Sequence, residues 1–448
     1  GPLVYSGAAL SASRWVRRNV FKHIASGVFA MDWLLAALAV FNLVSMATVF
    51  TPRSVPRRSI PWAVFGTALV ATELAWLWLP LQVGLAWILV SCGALDSGLG
   101  TLALIVLLGT WVGLVWSIWM STKAGTTVEN ALRAGLGNHY RNHILPERSH
   151  LLRDSVHFSD WRQPMSMQRS DVELIKHIPY GPAGVRQQLD IYRPAQLPEQ
   201  GCPVVLQIHG GAWTVGDKGS QAQPLMYHLA SRGWICVAAN YRLSPSVGFP
   251  THLQDCKRAL SWIREHGREY GMNPDFVAVT GGSAGGHLTA LMGLTENLPE
   301  LQLDNPDTDT SVQACISFYG VYDFLVRYDQ HPNRRIYERF LTGKVLHESV
   351  KDNPALWDLA SPVAQIHPQA PPFMVFHGTH DSLAAVSEGR VFSDKLREVS
   401  QQPVVYVEMP GAEHAWDIMH SLRTEHSIDG VHRFLEWVRT NSLETNKH

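Results

Sequence analysis

Charge is what this chain has least of. Asp, Glu, Lys and Arg make up 17% of its 448 residues, against about a quarter in an ordinary soluble chain. The 37 basic residues nearly cancel the 38 acidic ones, leaving a formal net charge of −1. That balance supplies no broad basic footprint, so nucleic acid is not expected as a partner. Cysteine is scarce too. Cys92, Cys202, Cys236, Cys256 and Cys315 are scattered with no CxxC pair. This argues against a disulfide framework and for reduced structural thiols. No HExxH or comparable ligand spacing occurs, and neither a metal nor another cofactor is expected. Internal repeats and low-complexity tracts are lacking. Gly1-Pro2 reads as a protease scar and is set aside from the fold.

The shortage of charge is local. Residues 33–50 carry none, with Asn42 as the most polar member, and residues 99–120 carry none. Each run is long enough to cross a hydrocarbon core of about 30 Å. Neither ends in a small-residue cleavage site, so anchored spans are expected rather than a removed leader. Between them, residues 61–95 have Glu73 as their only charge. One straight helix of that length would reach roughly 50 Å. The expectation is one tilted span kinked at Pro80, or two short spans meeting there, for three or four spans in all. Trp62, Trp76, Trp78, Trp87, Trp111, Trp116 and Trp119 suit an interfacial belt. Glu73 is costly in a bilayer unless it faces protein or water. A helix–helix hydrogen bond or a protonated acid accounts for it more simply than a place on a substrate path.

Ten basic residues flank these runs: Arg14, Arg17, Arg18 and Lys22, then Arg53, Arg57 and Arg58, then Lys123, Arg133 and Arg141. A cytoplasmic C-terminal portion puts six of them inside for three spans and seven for four. The expectation is a multi-pass protein of the cell membrane with that portion in the cytoplasm.

Four segments follow: a basic stretch over 1–26, a membrane helical domain over 27–120, a linker or cap over 121–170, and an α/β domain over 171–448. In the last, β-rich runs at 172–178, 187–192, 203–208, 235–240, 276–280, 314–318, 373–376 and 404–407 alternate with helical patterns. Those patterns fill 221–231, 252–270, 284–294, 385–399 and 427–438. Such alternation predicts a mostly parallel eight-stranded sheet covered on both faces, with an antiparallel start. Residues 321–368 interrupt it, are rich in Asp, Asn, Pro and aromatics, and are expected to form a cap.

Within this frame one stretch carries chemistry. Gly281-Gly282-Ser283-Ala284-Gly285-Gly286 lies between a strand and a helical pattern. It fits G-x-S-x-G, the sharp turn that exposes a serine nucleophile. A serine needs a base and an acid to orient it. Asp381 follows the strand at 373–376 in His377-Gly378-Thr379-His380-Asp381, and His414 follows the strand at 404–407. The order Ser283, Asp381, His414 is the one this turn requires. His377 and His380 are weighed as a metal pair and set aside. Glu413 and Asp417 are too close to His414 along the loop to orient it, and read as solvated charges or as local tuning of the histidine. The strand at 203–208 runs into His209-Gly210-Gly211-Ala212-Trp213, where the N–H groups of Gly210 and Gly211, with that of Ala284, are expected to meet an oxyanion.

These motifs, together with Tyr241-Arg242-Leu243 and FYGVYDF at 318–324, resemble the hormone-sensitive-lipase-like branch of the α/β-hydrolase superfamily over residues 170–440. They resemble in particular its actinobacterial carboxylesterases and lipases. The resemblance implies Ser283, Asp381 and His414 as a triad, and Gly210, Gly211 and Ala284 as oxyanion donors. His209, Trp213 and Tyr241 are expected as substrate contacts. Gly282 departs from the acid usual before the serine, and Ala212-Trp213 from the usual third glycine. The reading is a membrane-anchored serine ester hydrolase acting on amphiphilic or lipid-like esters. An acyltransferase with the same triad and a non-catalytic receptor or scaffold are the alternatives. The oligomeric state is not legible.

Overall fold

The computed structural model describes residues 30–47, 49–50, 62–302, 307–328 and 334–445. The basic residues at 14–22 and 53–58 lie outside these, and so does the 1–26 segment. Chain contacts separate two compact units, one ending at Trp119 and one running from Met120 onward. Helices of eight or more residues are numbered here.

The first unit contains α1 (Ala30–Ala47), α2 (Trp62–Glu73), α3 (Ala75–Ser91) and α4 (Gly98–Ser121). α1 and the helix that starts at Gly98 are long and apolar enough to cross a membrane. α2 and α3 bend by 97° at their junction and add a third crossing only if counted as one span. A fourth is not found among the described residues. The bend also falls elsewhere than expected. Leu74 leaves helical geometry (φ −109°, ψ 16°), while Pro80 is accommodated inside α3, where it removes one backbone donor without breaking the helix.

Several polar side chains in this unit point inward. Gln82 Nε2 donates to Asn42 Oδ1 at 2.6 Å, and Trp111 Nε1 donates to Gln82 Oε1 at 2.9 Å. Ser97 Oγ donates to Asp32 Oδ2 at 2.7 Å. Trp111 is therefore tied to a neighbouring helix, whereas Trp87 is exposed. Glu73 is buried at the end of α2.

The second unit is built on one eight-stranded sheet in the order β1-β2-β4-β3-β5-β6-β7-β8. Its strands are β1 (Val172–Pro179), β2 (Gln188–Pro194), β3 (Cys202–Ile208), β4 (Ile235–Ala239), β5 (Met272–Gly282), β6 (Ala314–Phe318), β7 (Phe373–Gly378) and β8 (Val404–Met409). β1 pairs β2, and β2 pairs β4, antiparallel; every later pairing is parallel. The continuous apolar run of β3 fits a strand covered on both sides, and all seven of its residues are buried. Alternate side chains feed two cores: Val204, Leu206 and Ile208 one, Val205 the other.

The first core is closed by α7 (Thr251–His266), α8 (Ala284–Leu294) and α9 (Val386–Val399). The second is closed by α5 (Ala124–Leu136), α6 (Gln223–Ala230) and α10 (Leu422–Thr445). α5 corrects the expectation for 121–170. Ala124, Val128 and Leu132 are buried in the sheet core rather than in a cap. Gly135 packs on Val405, and a Cβ on Gly430 would meet Val128 Cγ1 at 2.5 Å. The insertion at 321–368 does lie between β6 and β7. Its Tyr322, Phe324, Leu341, Val345, Leu346 and Trp357 belong to the first core, so it is knit into the fold rather than laid over it.

Candidate active site

The turn around Ser283 is forced by close backbone approach. β5 delivers the chain at Gly282, and α8 leaves at Ala284. Between them Ser283 adopts φ 58° and ψ −119°, a strained conformation for a residue with a side chain. A Cβ on Gly281 would stand 2.5 Å from the Ile208 carbonyl oxygen and 2.6 Å from that of Gly285. One on Gly285 would collide with the same Ile208 oxygen. Only glycine lets the turn lie this tightly against the end of β3. The Ser283 N–H is tied to the Phe318 carbonyl at 2.9 Å, and Ser283 takes the N-terminal end of α8.

The loops after β7 and β8 are laced together. His380 N donates to the Ala412 carbonyl at 2.9 Å, Gly411 N to Thr379 Oγ1 at 2.7 Å, and Ser382 N to Glu413 Oε1 at 2.6 Å. This lacing brings Asp381 and His414 together, with His414 Nδ1 and Asp381 Oδ2 2.7 Å apart. The other carboxylate oxygen accepts from Leu383 N at 2.9 Å and Ala384 N at 2.7 Å. His377 Nε2 stands 3.3 Å from Asp381 Oδ2 and 3.1 Å from the Ala384 carbonyl. Tyr319 links this pair to the serine turn. Its ring centroid is 4.5 Å from that of His414, and its phenol end lies over Gly282.

The loop after β3 is strained in the same neighbourhood. Gly211, Ala212 and Trp213 have φ of 117°, 50° and 59°. Gly210 abuts Ser283, since a Cβ there would stand 3.1 Å from the Ser283 Cβ. The Gly210 N–H, however, donates to Gln221 Oε1 at 2.6 Å. It is already engaged, which corrects its expected place among the oxyanion donors. Among the described residues no acceptor meets the N–H groups of Gly211, Ala212 or Ala284.

A family model described as BD-FAE matches residues 189–396. The probable carboxylic ester hydrolase LipM of Mycobacterium tuberculosis is 49% identical over 260 residues, 58% of this chain and 60% of LipM. The chain thus spans less than two thirds of that relative. Esterase LipQ of the same bacterium is 38% identical over 333 residues, 72% of this chain and 77% of LipQ. The chain belongs to the α/β-hydrolase superfamily, in its hormone-sensitive-lipase-like branch. Among solved structures, esterase B of Lactobacillus rhamnosis shares the fold with a TM-score of 0.52 at 23% identity, covering 65% of this chain and 91% of that one.

The three side chains expected against substrate are buried and make internal contacts. Tyr241 stacks on the His209 ring at 4.4 Å and donates to the His209 carbonyl at 3.0 Å. His209 Nδ1 lies 2.7 Å from the Gly210 carbonyl, and burial depresses its pKa to about 4. Trp213 Nε1 donates to His287 Nδ1 at 3.2 Å. All three hold the loop after β3 in shape.

Three acids crowd His414. Burial alone raises the carboxyl pKa of Asp381, but the charge of His414 and the hydrogen bond from His377 outweigh it and hold Asp381 well below the usual range. Burial lowers the His414 pKa, yet Asp381, Glu413 and Asp417 together raise it above its ordinary value. Glu413 and Asp417 are buried, not solvated as the sequence led us to expect. Glu413 Oε1 accepts from both Ser382 N and His414 N. Burial, helped by the neighbouring Asp381, pushes Glu413 up to about 7. Asp417 accepts from the Tyr319 hydroxyl, and burial raises its pKa. Gln221 gave no sequence signal, and Tyr319, although it lies in the FYGVYDF run at 318–324, carried no expected role.

Proposed function

We propose that the chain is a membrane-anchored serine carboxylic ester hydrolase that works through an acyl-enzyme. The observation that carries the reading is the buried 2.7 Å Asp381–His414 hydrogen bond, joined through the Tyr319 ring to the strained turn that holds Ser283. In this reading Ser283 Oγ attacks the ester carbonyl while His414 Nε2 takes its proton. Asp381 holds the Nδ1–H and stabilises the imidazolium. The N–H groups of Gly211, Ala212 and Ala284, which meet no acceptor among the described residues, stabilise the oxyanion. His414 returns the proton to the leaving alcohol, then activates water to release the acid. The neighbouring relatives named as esterases support an ester as substrate.

A serine-directed phosphonate tests the chemistry. It is expected to label wild type at Ser283 and to leave Ser283→Ala untouched. A folded wild-type protein that stays unlabelled at Ser283 overturns the reading.

The apolar helices of the first unit are the anchor in this proposal, and amphiphilic esters are the expected substrates. Cys92 is the exposed cysteine of the five, and the other four are buried. It lies just before α4, so a cytoplasmic second unit puts it outside. A membrane-impermeant maleimide is expected to label Cys92 in intact cells, and labelling only after lysis would reverse the orientation.

A further inference from the structure

We propose that Tyr319 is a positioning residue for His414, with its ring packed against the imidazole and its hydroxyl fixing Asp417 as a second carboxylate beside the base. The inference rests on the reading of His414 as the general base.

Tyr319 follows Phe318 at the end of β6, whose carbonyl ties the Ser283 N–H. Its own N–H donates to the Phe376 carbonyl at 2.6 Å, which anchors it to β7. Its backbone is left-handed, at φ 38°, a strained conformation for a bulky residue that persists only where its surroundings over-determine it. Those surroundings are specific. The ring contacts His414 and, at 5.1 Å between centroids, Trp416. The hydroxyl donates to Asp417 Oδ1. A Cβ on Gly282 would stand 2.6 Å from the phenol oxygen and 2.7 Å from a ring carbon. The residue before the nucleophile therefore has no side chain because Tyr319 fills that space.

One side chain thus touches the serine turn, the base and a second acid. The base needs this support. When His414 becomes an imidazolium, its ring must keep Nδ1 on Asp381 and Nε2 toward Ser283. A packed ring restricts rotation out of that plane. Asp381, Glu413 and Asp417 are the charged groups that face His414, with Tyr319 beside them and His377 behind Asp381. Of the three acids, Asp381 alone bonds the imidazole. Asp417 acts on it through space, and the Tyr319 hydroxyl bond favours the ionised form of Asp417.

The test compares Tyr319→Phe, Tyr319→Ala, Asp417→Asn and the Phe/Asn double variant in the full-length protein. Readouts are steady-state hydrolysis of a short-chain ester across pH and the rate of phosphonate labelling at Ser283. Tyr319→Phe is expected to lower kcat about fivefold with KM unchanged, and Tyr319→Ala about a hundredfold, as the base loses its alignment. Tyr319→Phe and Asp417→Asn each move the acid limb of kcat/KM to lower pH, because each weakens a negative charge that favours imidazolium. The double variant shows no further shift.

If both Tyr319 variants label Ser283 at the wild-type rate with an unmoved acid limb, the proposal falls while the ester-hydrolase reading stands. A limb shift in Tyr319→Phe that adds fully to that of Asp417→Asn also overturns it. Should Tyr319→Ala fail to fold, Tyr319→Phe and Asp417→Asn decide the matter. A wild-type protein without Ser283 labelling removes the reading, and this inference with it.

Discussion

The two units of this chain are polarised in opposite senses. In the first, large apolar side chains such as Trp87, Leu102 and Val112 face outward, while Asp32, Asn42, Gln82 and Ser117 are buried. In the second, the strands bury their apolar residues, and three buried acids, Asp381, Glu413 and Asp417, gather around His414. Buried polarity does different work in the two places. Between the apolar helices, Asn42, Gln82 and Trp111 satisfy one another through neutral donors and acceptors. Around His414, three carboxyls share a small volume with unequal pKa values, as a site for proton transfer requires. The first arrangement is closed on itself, and the second is poised to change charge.

The sharpest way to break that contrast is to disarm the second unit. Asp381→Asn is expected to cut kcat by about 10³–10⁴-fold with the fold intact, because the imidazole loses the partner that fixes its tautomer. Ester hydrolysis with a thermal melt alongside checks it.

Gly282→Ala comes next. The added methyl meets Tyr319, and overpacking of this kind costs about 1–3 kcal/mol. A lowered melting temperature and slower phosphonate labelling are expected together.

Glu413→Gln sharpens the comparison through pH. The carboxyl of Glu413 has a native pKa of about 7, above its ordinary 4.5. Between those values the native protein keeps a proton that the unfolded chain has released, so this group's contribution to stability falls as pH rises. Glu413→Gln is expected to remove that slope between about pH 4.5 and 7 in melts, and to move the acid limb of kcat/KM slightly lower.

The smallest effect on activity belongs to the first unit. Gln82→Leu removes two interhelical hydrogen bonds, each worth about 0.6–2 kcal/mol in a membrane. Its melt in detergent should weaken, while hydrolysis of a water-soluble short ester is unchanged.

Much of the second unit was legible because its signals are local. Period and length placed all eight strands, and the residues just past β7 and β8 pointed to Asp381 and His414. The Ser283 turn could be read because glycine is the residue that permits so close a backbone approach. What escaped depended on distant chain. Glu413 and Asp417 look like loop charges until the loops after β7 and β8 are laced. The Gly210 N–H looks available until Gln221, eleven residues on, reaches it. α5 reads as a linker because its apolar stripe is short, and its partners, β8 and α10, lie far along the chain. In the first unit, Pro80 drew attention as the obvious breaker, but the bend belongs to Leu74, an apolar residue with no sequence mark.

The placement of α5 has a practical consequence for anyone who wants the chemistry free of lipid. A protein trimmed to begin at the first strand would look tidy in sequence and would lack a wall of its own core. It would leave the side of α10 that packs on Val128 bare, and would take Arg148 from Glu436 and Arg153 from Glu425 and Asp429. Stripping the partner from one such buried pair costs about 3–5 kcal/mol, a large part of a typical domain's margin. A fragment that stays folded has to begin upstream of Ala124, at the foot of the last apolar helix.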